Sequence, residues 1–356
     1  MSKVAPILLV AACSLVTMLA QSRPPNRGIT AVDGIKVGHF TLSQRPTGCT
    51  VVLVDGEGVP GGVSQRGSAP GTRETDLLDP INMVDKVNAI VLSGGSAFGL
   101  DAAQGVVRYL EERKIGWPVG NGVVPIVPAA ILFDLGFGGD ASIRPTADCG
   151  YRAANAATAQ PVTEGNVGAG AGATIGKTQG RNRSMKSGVG AASIALANGL
   201  VVGAIAAVNA VGDVVDPSTG QVVAGVRTAD GKALADVRKL LRSGAIGAPQ
   251  ARPAGNTTIA VVATNARLTK TETSRMALMA DDGLARAINP AHTVGDGDTV
   301  FSLATGRWTG QANVTVIGAL AAEALAEAIV RAATEASTSD GLPSARDLGT
   351  VPARYR

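Results

Sequence analysis

Asn256-Thr257-Thr258 opens the segment NTTIAVVATNARLT, about 100 residues before the C-terminus. Upstream lies a loop rich in Ala, Gly and Pro, Gly244 to Gly255. Downstream is an apolar run, to about Thr264, that reads as a buried strand. A β-hydroxyl residue set between a flexible loop and a rigid strand suits a chain that cuts itself. Cleavage of the Asn256–Thr257 bond makes Thr257 a new N-terminus, with its side chain as nucleophile and its freed α-amine as base. An α-amine titrates at roughly 7.7–8.0, so it works near neutral pH.

The core that receives such a strand is built with few rings. Of 356 residues, 45% are hydrophobic and 3% aromatic, which is enough for one or two domains packed from Ala, Val, Ile, Leu and Gly. Forty-six Gly follow no short repeat, so they read as turns and close backbone approaches. A net charge of +4, spread without a dense basic run, argues against a nucleic-acid partner. His39 and His292 stand far apart, and no C-x-x-C or H-x-x-x-H occurs, so no metal or other cofactor is implied. Cys49 and Cys149 read as unrelated buried thiols, with a disulfide between them as the alternative.

Residues 1–20 read as a secretory signal. Lys3 gives the basic end, Ile7 to Ala20 is almost unbroken apolar, and a polar Gln-Ser-Arg-Pro-Pro stretch follows. The expectation is a periplasmic or secreted protein without a stable membrane partner. An uncleaved anchor, or a lipoprotein signal at Cys13, is the alternative.

From Gly28 the pattern is α/β. Strands are expected at Thr50–Val54 and Asn88–Leu92, the latter followed by SGGSAFG and a helix from Leu100 to Lys114. The Gly cluster reads as a tight turn or as backbone N–H groups offered to an anion. It fits neither the nucleotide G-x-G-x-x-G nor the hydrolase G-x-S-x-G. Gly165 to Gly190 reads as closely packed backbone bordering a site, and Val201 to Val208 as a strand. Thr269-Lys270-Thr271-Glu272 is a capping box, so a helix begins there and ends at Asn289-Pro290. A strand Thr299–Ala304 and a long Ala-rich helix from Ala312 to Ala336 complete the pattern. Gly220 to Asn256 is the most linker-like stretch of the mature chain, and the tail from Ser337 reads as loosely ordered.

Several residues besides Thr257 are candidates for chemistry. Asp296-Gly297-Asp298 puts two carboxylates on one tight loop, where they hold an ammonium, orient a hydroxyl or simply make a turn. Asn209, at the end of an apolar strand, is an oxyanion donor or a turn residue. Read alone, Lys177 is a solvated surface lysine, and His292 a satisfied structural histidine.

A resemblance then weighs more than spacing. Gly28-Ile29-Thr30, Ile35 to His39, Gly48 to Val52, Arg66-Gly67, Pro70 to Thr75 and Ser93 to Leu100 are similar, in order, to the P1 family of self-processing peptidases (peptidase S58). So are Gly168-Ala169-Gly170, Val208-Asn209, Asn256-Thr257-Thr258 and His292-Thr293 with Asp296 to Thr299. This family includes L-aminopeptidase/D-esterases, β-peptidyl aminopeptidases and nylon-oligomer hydrolases. The resemblance implies a four-layer αββα sandwich, like that of N-terminal-nucleophile hydrolases but with its own connectivity. It also implies cleavage into an α chain (21–256) and a β chain (257–356) of one domain, assembled as a homo-oligomer of αβ units.

The resemblance reverses the reading of Lys177 and implies a site of Thr257, Lys177, Asn209, Asp296 and Asp298. In these roles Thr257 attacks and forms an acyl-enzyme, and Asn209 donates to the oxyanion, where a donor is worth about 3 kcal/mol. Lys177 disfavours protonation of the amine. Both Asp orient Thr257 and receive a substrate ammonium. The chain departs from the nylon-hydrolase branch where Phe133 replaces a Tyr, and from other aminopeptidase branches in having Asn-Thr and Asp/Asp. The expected activity is therefore hydrolysis of small peptides or aminoacyl amides. Endo-cleavage of amide oligomers, acyl transfer and a non-catalytic binding protein are the alternatives.

Overall fold

Val51 and Val52 are neighbours in one strand, yet they are buried in different cores. Side chains alternate across a strand, so a strand buried on both faces feeds two layers at once. The computed structural model describes residues 28–245 and 255–356. The expected leader, 1–20, lies outside them.

Among the described residues, ten strands make the two main sheets. In chain order they are β1 (Ile35–Thr41), β2 (Gly48–Val54), β3 (Gly61–Gln65), β4 (Thr72–Arg73), β5 (Ala89–Ser93), β6 (Ala129–Ile131), β7 (Val189–Ala195), β8 (Val201–Asn209), β9 (Thr257–Thr264) and β10 (Thr299–Ala304). One sheet has the order β1-β2-β5-β6-β4, the other β7-β8-β9-β10-β3. Pairing is antiparallel except for β5 with β6 and β9 with β10.

The helices are α1 (Ala102–Glu111), α2 (Ala147–Asn155), α3 (Val237–Arg242), α4 (Lys270–Ala287) and α5 (Val314–Thr334). The helices α1 and α2 cover the outer face of the first sheet, and α4 and α5 that of the second. Between the sheets lie Val52, Ile90, Leu92, Ile205, Val261 and Phe301. The architecture is thus αββα, as expected. Full burial of each such aliphatic side chain contributes about 1.5–3 kcal/mol. Truncating Phe301, which is fully buried, to Ala is expected to cost about 3–5 kcal/mol.

Scarce aromatics are offset by close backbone approach. A Cβ on Gly105 of α1 would collide with the Ala147 carbonyl of α2, and one on Gly150 of α2 with the Ala102 carbonyl of α1. The start of α4 carries the full capping box: Thr269 N donates to Glu272 Oε2 (2.8 Å) and Glu272 N to Thr269 Oγ1 (3.2 Å). The helix stops at Ala287, just before Asn289-Pro290.

Three expectations fail. Gly220 to Asn256 is not linker throughout: Val222–Ala224 pairs with Asp213–Val215, and α3 follows. The cause is buried Asp213, whose carboxylate accepts from Val226 N and Val237 N, each at 2.7 Å. Residues 246–254 lie outside the described residues. The tail is not loose either. Leu342, Ala345, Val351 and Tyr355 are buried, and Arg354 reaches Asp216 at 2.7 Å. Finally, Cys49 in β2 and Cys149 in α2 form a disulfide, with Cα atoms 6.2 Å apart. Packing of α2 on the first sheet brings together two thiols 100 residues apart.

Candidate active site

The site forms where three backbone pieces converge. Strand β8 ends at Asn209 and β9 begins at Thr257, and these two residues are register partners. On the other side, β9 runs parallel to β10, so the loop entering β10 lies beside the start of β9. Asn256 bridges to Asp296 there, which places both carboxylates of the D-G-D loop next to Thr257. Lys177 follows the left-handed Gly176, and its backbone N–H is held by the Val211 carbonyl (2.9 Å).

The polar contacts are dense. Lys177 Nζ donates to Asn209 Oδ1 (2.7 Å), Asn209 O (2.9 Å) and Gly255 O (2.6 Å). Asn209 Nδ2 donates to Phe133 O (2.9 Å) and Gly255 O (3.0 Å), while Thr174 N donates to Asn209 Oδ1 (3.0 Å). Thr257 Oγ1 donates to the carbonyl of Asn256, and Gly297 N donates to that same carbonyl (3.2 Å). Thr258 N donates to Asp298 Oδ1 (2.7 Å), and Thr293 N to Asp296 Oδ2 (2.7 Å). Asp296 Oδ1 is buried with no partner among the described residues. All five expected site residues therefore converge here, with Phe133 lending its carbonyl.

Burial sets the electrostatics. Lys177 as a residue is half-buried, but its ammonium is enclosed by these carbonyls. Desolvation pushes it down to about 7, against the pull of Asp296 and with a small further push from Arg181. The Asp296 carboxyl is raised, first by burial and then by Asp298.

Two features escape the sequence reading. His292 lies with Nδ1 3.0 Å from Asp298 Oδ2 and Nε2 3.5 Å from Asp281 Oδ1. These are contacts of charge rather than aligned hydrogen bonds. Burial pulls its pKa down, but the two carboxylates outweigh that and leave it raised. Asp281 belongs to α4, so no local motif announces the pairing.

The second feature is a buried brace behind Phe133. Arg45 Nη2 meets Asp134 Oδ1 at 2.9 Å, Thr47 Oγ1 donates to Asp134 Oδ2 (2.6 Å), and Gly95 N donates to Asp134 Oδ1 (2.9 Å). The anion at the SGGS turn is thus the chain's own carboxylate, and the turn is structural.

A hydroxyl, an enclosed ammonium, an amide donor and two carboxylates around one peptide bond make a site suited to acyl chemistry on amides. The fold is shared with solved hydrolases. A β-aminopeptidase of a Burkholderia species matches with TM-score 0.64 at 22% identity, covering 91% of this chain and 92% of that one. The L-aminopeptidase D-Ala-esterase/amidase of Ochrobactrum anthropi, a variant of the N-terminal-nucleophile hydrolase fold, matches with TM-score 0.66 at 20% identity over 91% and 92%.

The model of peptidase family S58 matches residues 27–346. An uncharacterised aminopeptidase of Mycobacterium tuberculosis is 44% identical over 349 residues, 90% of this chain and 97% of the relative. A 6-aminohexanoate-oligomer endohydrolase of a Kocuria species is 30% identical over 311 residues, 84% of each. The chain belongs to peptidase family S58. Its class is that of a peptidase/amidase hydrolase.

Proposed function

We propose that the chain cuts itself at Asn256–Thr257 and then acts as an aminopeptidase or amidase, with Thr257 as N-terminal nucleophile. One observation carries this reading: the Thr257 hydroxyl is bonded to the carbonyl of the peptide bond it would cleave. Before cleavage the Thr257 nitrogen is an amide and cannot be a base. After cleavage it is an α-amine beside the hydroxyl it activates. The hydroxyl attacks the substrate carbonyl, and its proton passes through the amine to the leaving nitrogen.

The remaining residues then have physical roles. The Asn209 amide, freed of Gly255 O, donates to the oxyanion. The Lys177 ammonium makes the amine more acidic by like-charge proximity. Asp296, with one buried oxygen unpartnered among the described residues, and Asp298 orient the nucleophile and receive a substrate ammonium. That ammonium pairing favours removal of an N-terminal residue over internal cleavage.

The test is turnover of L-aminoacyl and β-aminoacyl amides by wild type and Thr257→Ala. The variant is expected to stay uncut and inactive, and measurable hydrolysis by it contradicts the reading. A second reading is endo-cleavage of amide oligomers, favoured by the Kocuria relative at 30% identity. Amine-blocked oligomers separate the two, because only an endo-amidase turns them over.

A further inference from the structure

Two successive carbonyls precede Thr257, and they are held by different donors. Gly255 O takes Lys177 Nζ (2.6 Å) and Asn209 Nδ2 (3.0 Å). Asn256 O, the carbonyl of the bond to be cut, takes the backbone N–H of Gly297 (3.2 Å) and the Thr257 hydroxyl. The side-chain donors expected to serve hydrolysis are therefore engaged one residue upstream of the scissile bond.

We propose that the backbone amide of Gly297 is the oxyanion donor for self-cleavage, distinct from the Asn209 amide that serves hydrolysis. This rests on the reading of Thr257 as a self-cleaving nucleophile. As Thr257 Oγ bonds to the Asn256 carbonyl carbon, negative charge collects on the Asn256 oxygen already held by Gly297 N–H. The carbon–nitrogen bond then breaks, and the hydroxyl proton ends on the departing Thr257 nitrogen. An ester of Asn256 on Thr257 Oγ and a free amine remain. Water hydrolyses that ester, giving the Asn256 carboxylate and restoring the hydroxyl.

The loop supports the assignment in three ways. The Asn256–Asp296 bridge aligns the donor with the acceptor. Ala69 N donates to Asp296 O (2.9 Å), and Thr299 Oγ1 donates to Gly297 O (3.0 Å), so both carbonyls flanking the donor are pinned. A Cβ at Gly297 would stand 2.6 Å from Ala69 O and 2.9 Å from Thr257 Oγ1. Only a residue without a side chain lets the amide and the nucleophile approach the same carbonyl. A backbone donor in a rigid loop also needs no reorganisation as the charge develops.

The experiment follows full-length chain made by cell-free translation, with cleavage timed by gel. Wild type must first cut, and an uncut wild type would overturn the self-cleavage reading itself. Glycolic acid placed at position 297 replaces the amide with an ester and removes only that N–H. Cleavage is expected to slow by about 10²–10³-fold, the usual effect of one lost oxyanion donor. In Asn209→Ala, cleavage is expected to stay within about 10-fold of wild type while amide hydrolysis falls at least 10²-fold. Circular dichroism and a melting curve of each chain in a Thr257→Ala background confirm that it folds. Wild-type cleavage of the folded ester chain, or arrest of cleavage in folded Asn209→Ala, overturns the assignment. If the ester chain fails to fold, the Asn209→Ala result decides alone.

Discussion

Asn209 and Thr257 face each other across the antiparallel pair of β8 and β9. Directly opposed residues share a face of the sheet, so the pairing register sets the Asn209 amide and the Thr257 hydroxyl on the same side. A slip of one residue would turn Thr257 to the other face, and burial of both strands prevents it. The positions of Lys177, Asp296 and Asp298 follow from connections to these two strands.

Lys177 gives the first prediction. Its ammonium sits near pKa 7, and in the proposed mechanism it makes the freed Thr257 α-amine more acidic. Removing it by Lys177→Met leaves the α-amine a stronger base, protonated over a wider range. The rising limb of kcat/KM against pH is expected to move to higher pH, and the value at pH 7 to drop by about 10-fold or more. A profile that falls in height without moving would contradict that role.

The second concerns His292, whose raised pKa keeps positive charge beside Asp298 and Asp281. Facing this group are also Arg66, 3.4 Å from Asp281, and Ser64, which donates to Asp281 (2.7 Å). Where the wild-type imidazole is protonated, Asp298 and Asp281 have a charged neighbour that the variant lacks, and at higher pH the wild type loses that charge too. For His292→Asn, kcat/KM should fall by about 10-fold at pH 6 and recover toward pH 8. The ratio of variant to wild type, measured across that range, checks the sign. A constant ratio would mean that His292 only packs.

The third concerns the disulfide. Cys49 and Cys149 close a span of 100 residues, and a native disulfide typically stabilises by about 2–4 kcal/mol, chiefly through the unfolded chain. The double variant Cys49→Ala/Cys149→Ala should lose that much in urea unfolding, while cleavage at Thr257 proceeds. Equal stability of oxidised protein and double variant would contradict it.

The fourth concerns Lys186, fully buried, with Nζ donating to Gly170 O (3.2 Å) and Ala173 O (2.9 Å). Burial lowers its pKa from 10.5 to about 7. Between about 7 and 10.5 the unfolded chain therefore binds more protons at this group, so its share of stability rises with pH in that window and is flat below it. In uncut Thr257→Ala protein, the melting temperature should gain less between pH 7 and 10 when Lys186→Met is added. An unchanged gain would mean that Lys186 stays charged in the fold.

Much of this was legible in the sequence where the signal is local. The strand Thr257–Thr264 and the capping box at Thr269 follow from short patterns and stand where those patterns put them. The strand Thr299–Ala304 does too. Helix ends are less legible, because a 3-10 turn over Ser96–Asp101 precedes α1. What escaped depends on partners far along the chain. Asp213 fixes a segment that looks like linker because two backbone N–H groups from 226 and 237 find it. Tyr355 anchors the tail through Glu327 on α5, at 2.6 Å. Asp134 is taken up by Arg45, 89 residues earlier, and His292 by a carboxylate in the middle of α4. Lys177 looks solvated because nothing near it in sequence shows that Gly255 and Asn209 will enclose its ammonium.

The most direct measurement is the intact mass of purified protein with N-terminal sequencing of its fragments. A fragment running from Thr257 to Arg356 and beginning Thr-Thr-Ile-Ala is the expected result, since it frees the amine on which the mechanism depends. A single uncut chain from a folded sample would contradict the account, because Thr257 would then hold its nitrogen in a peptide bond and have no base.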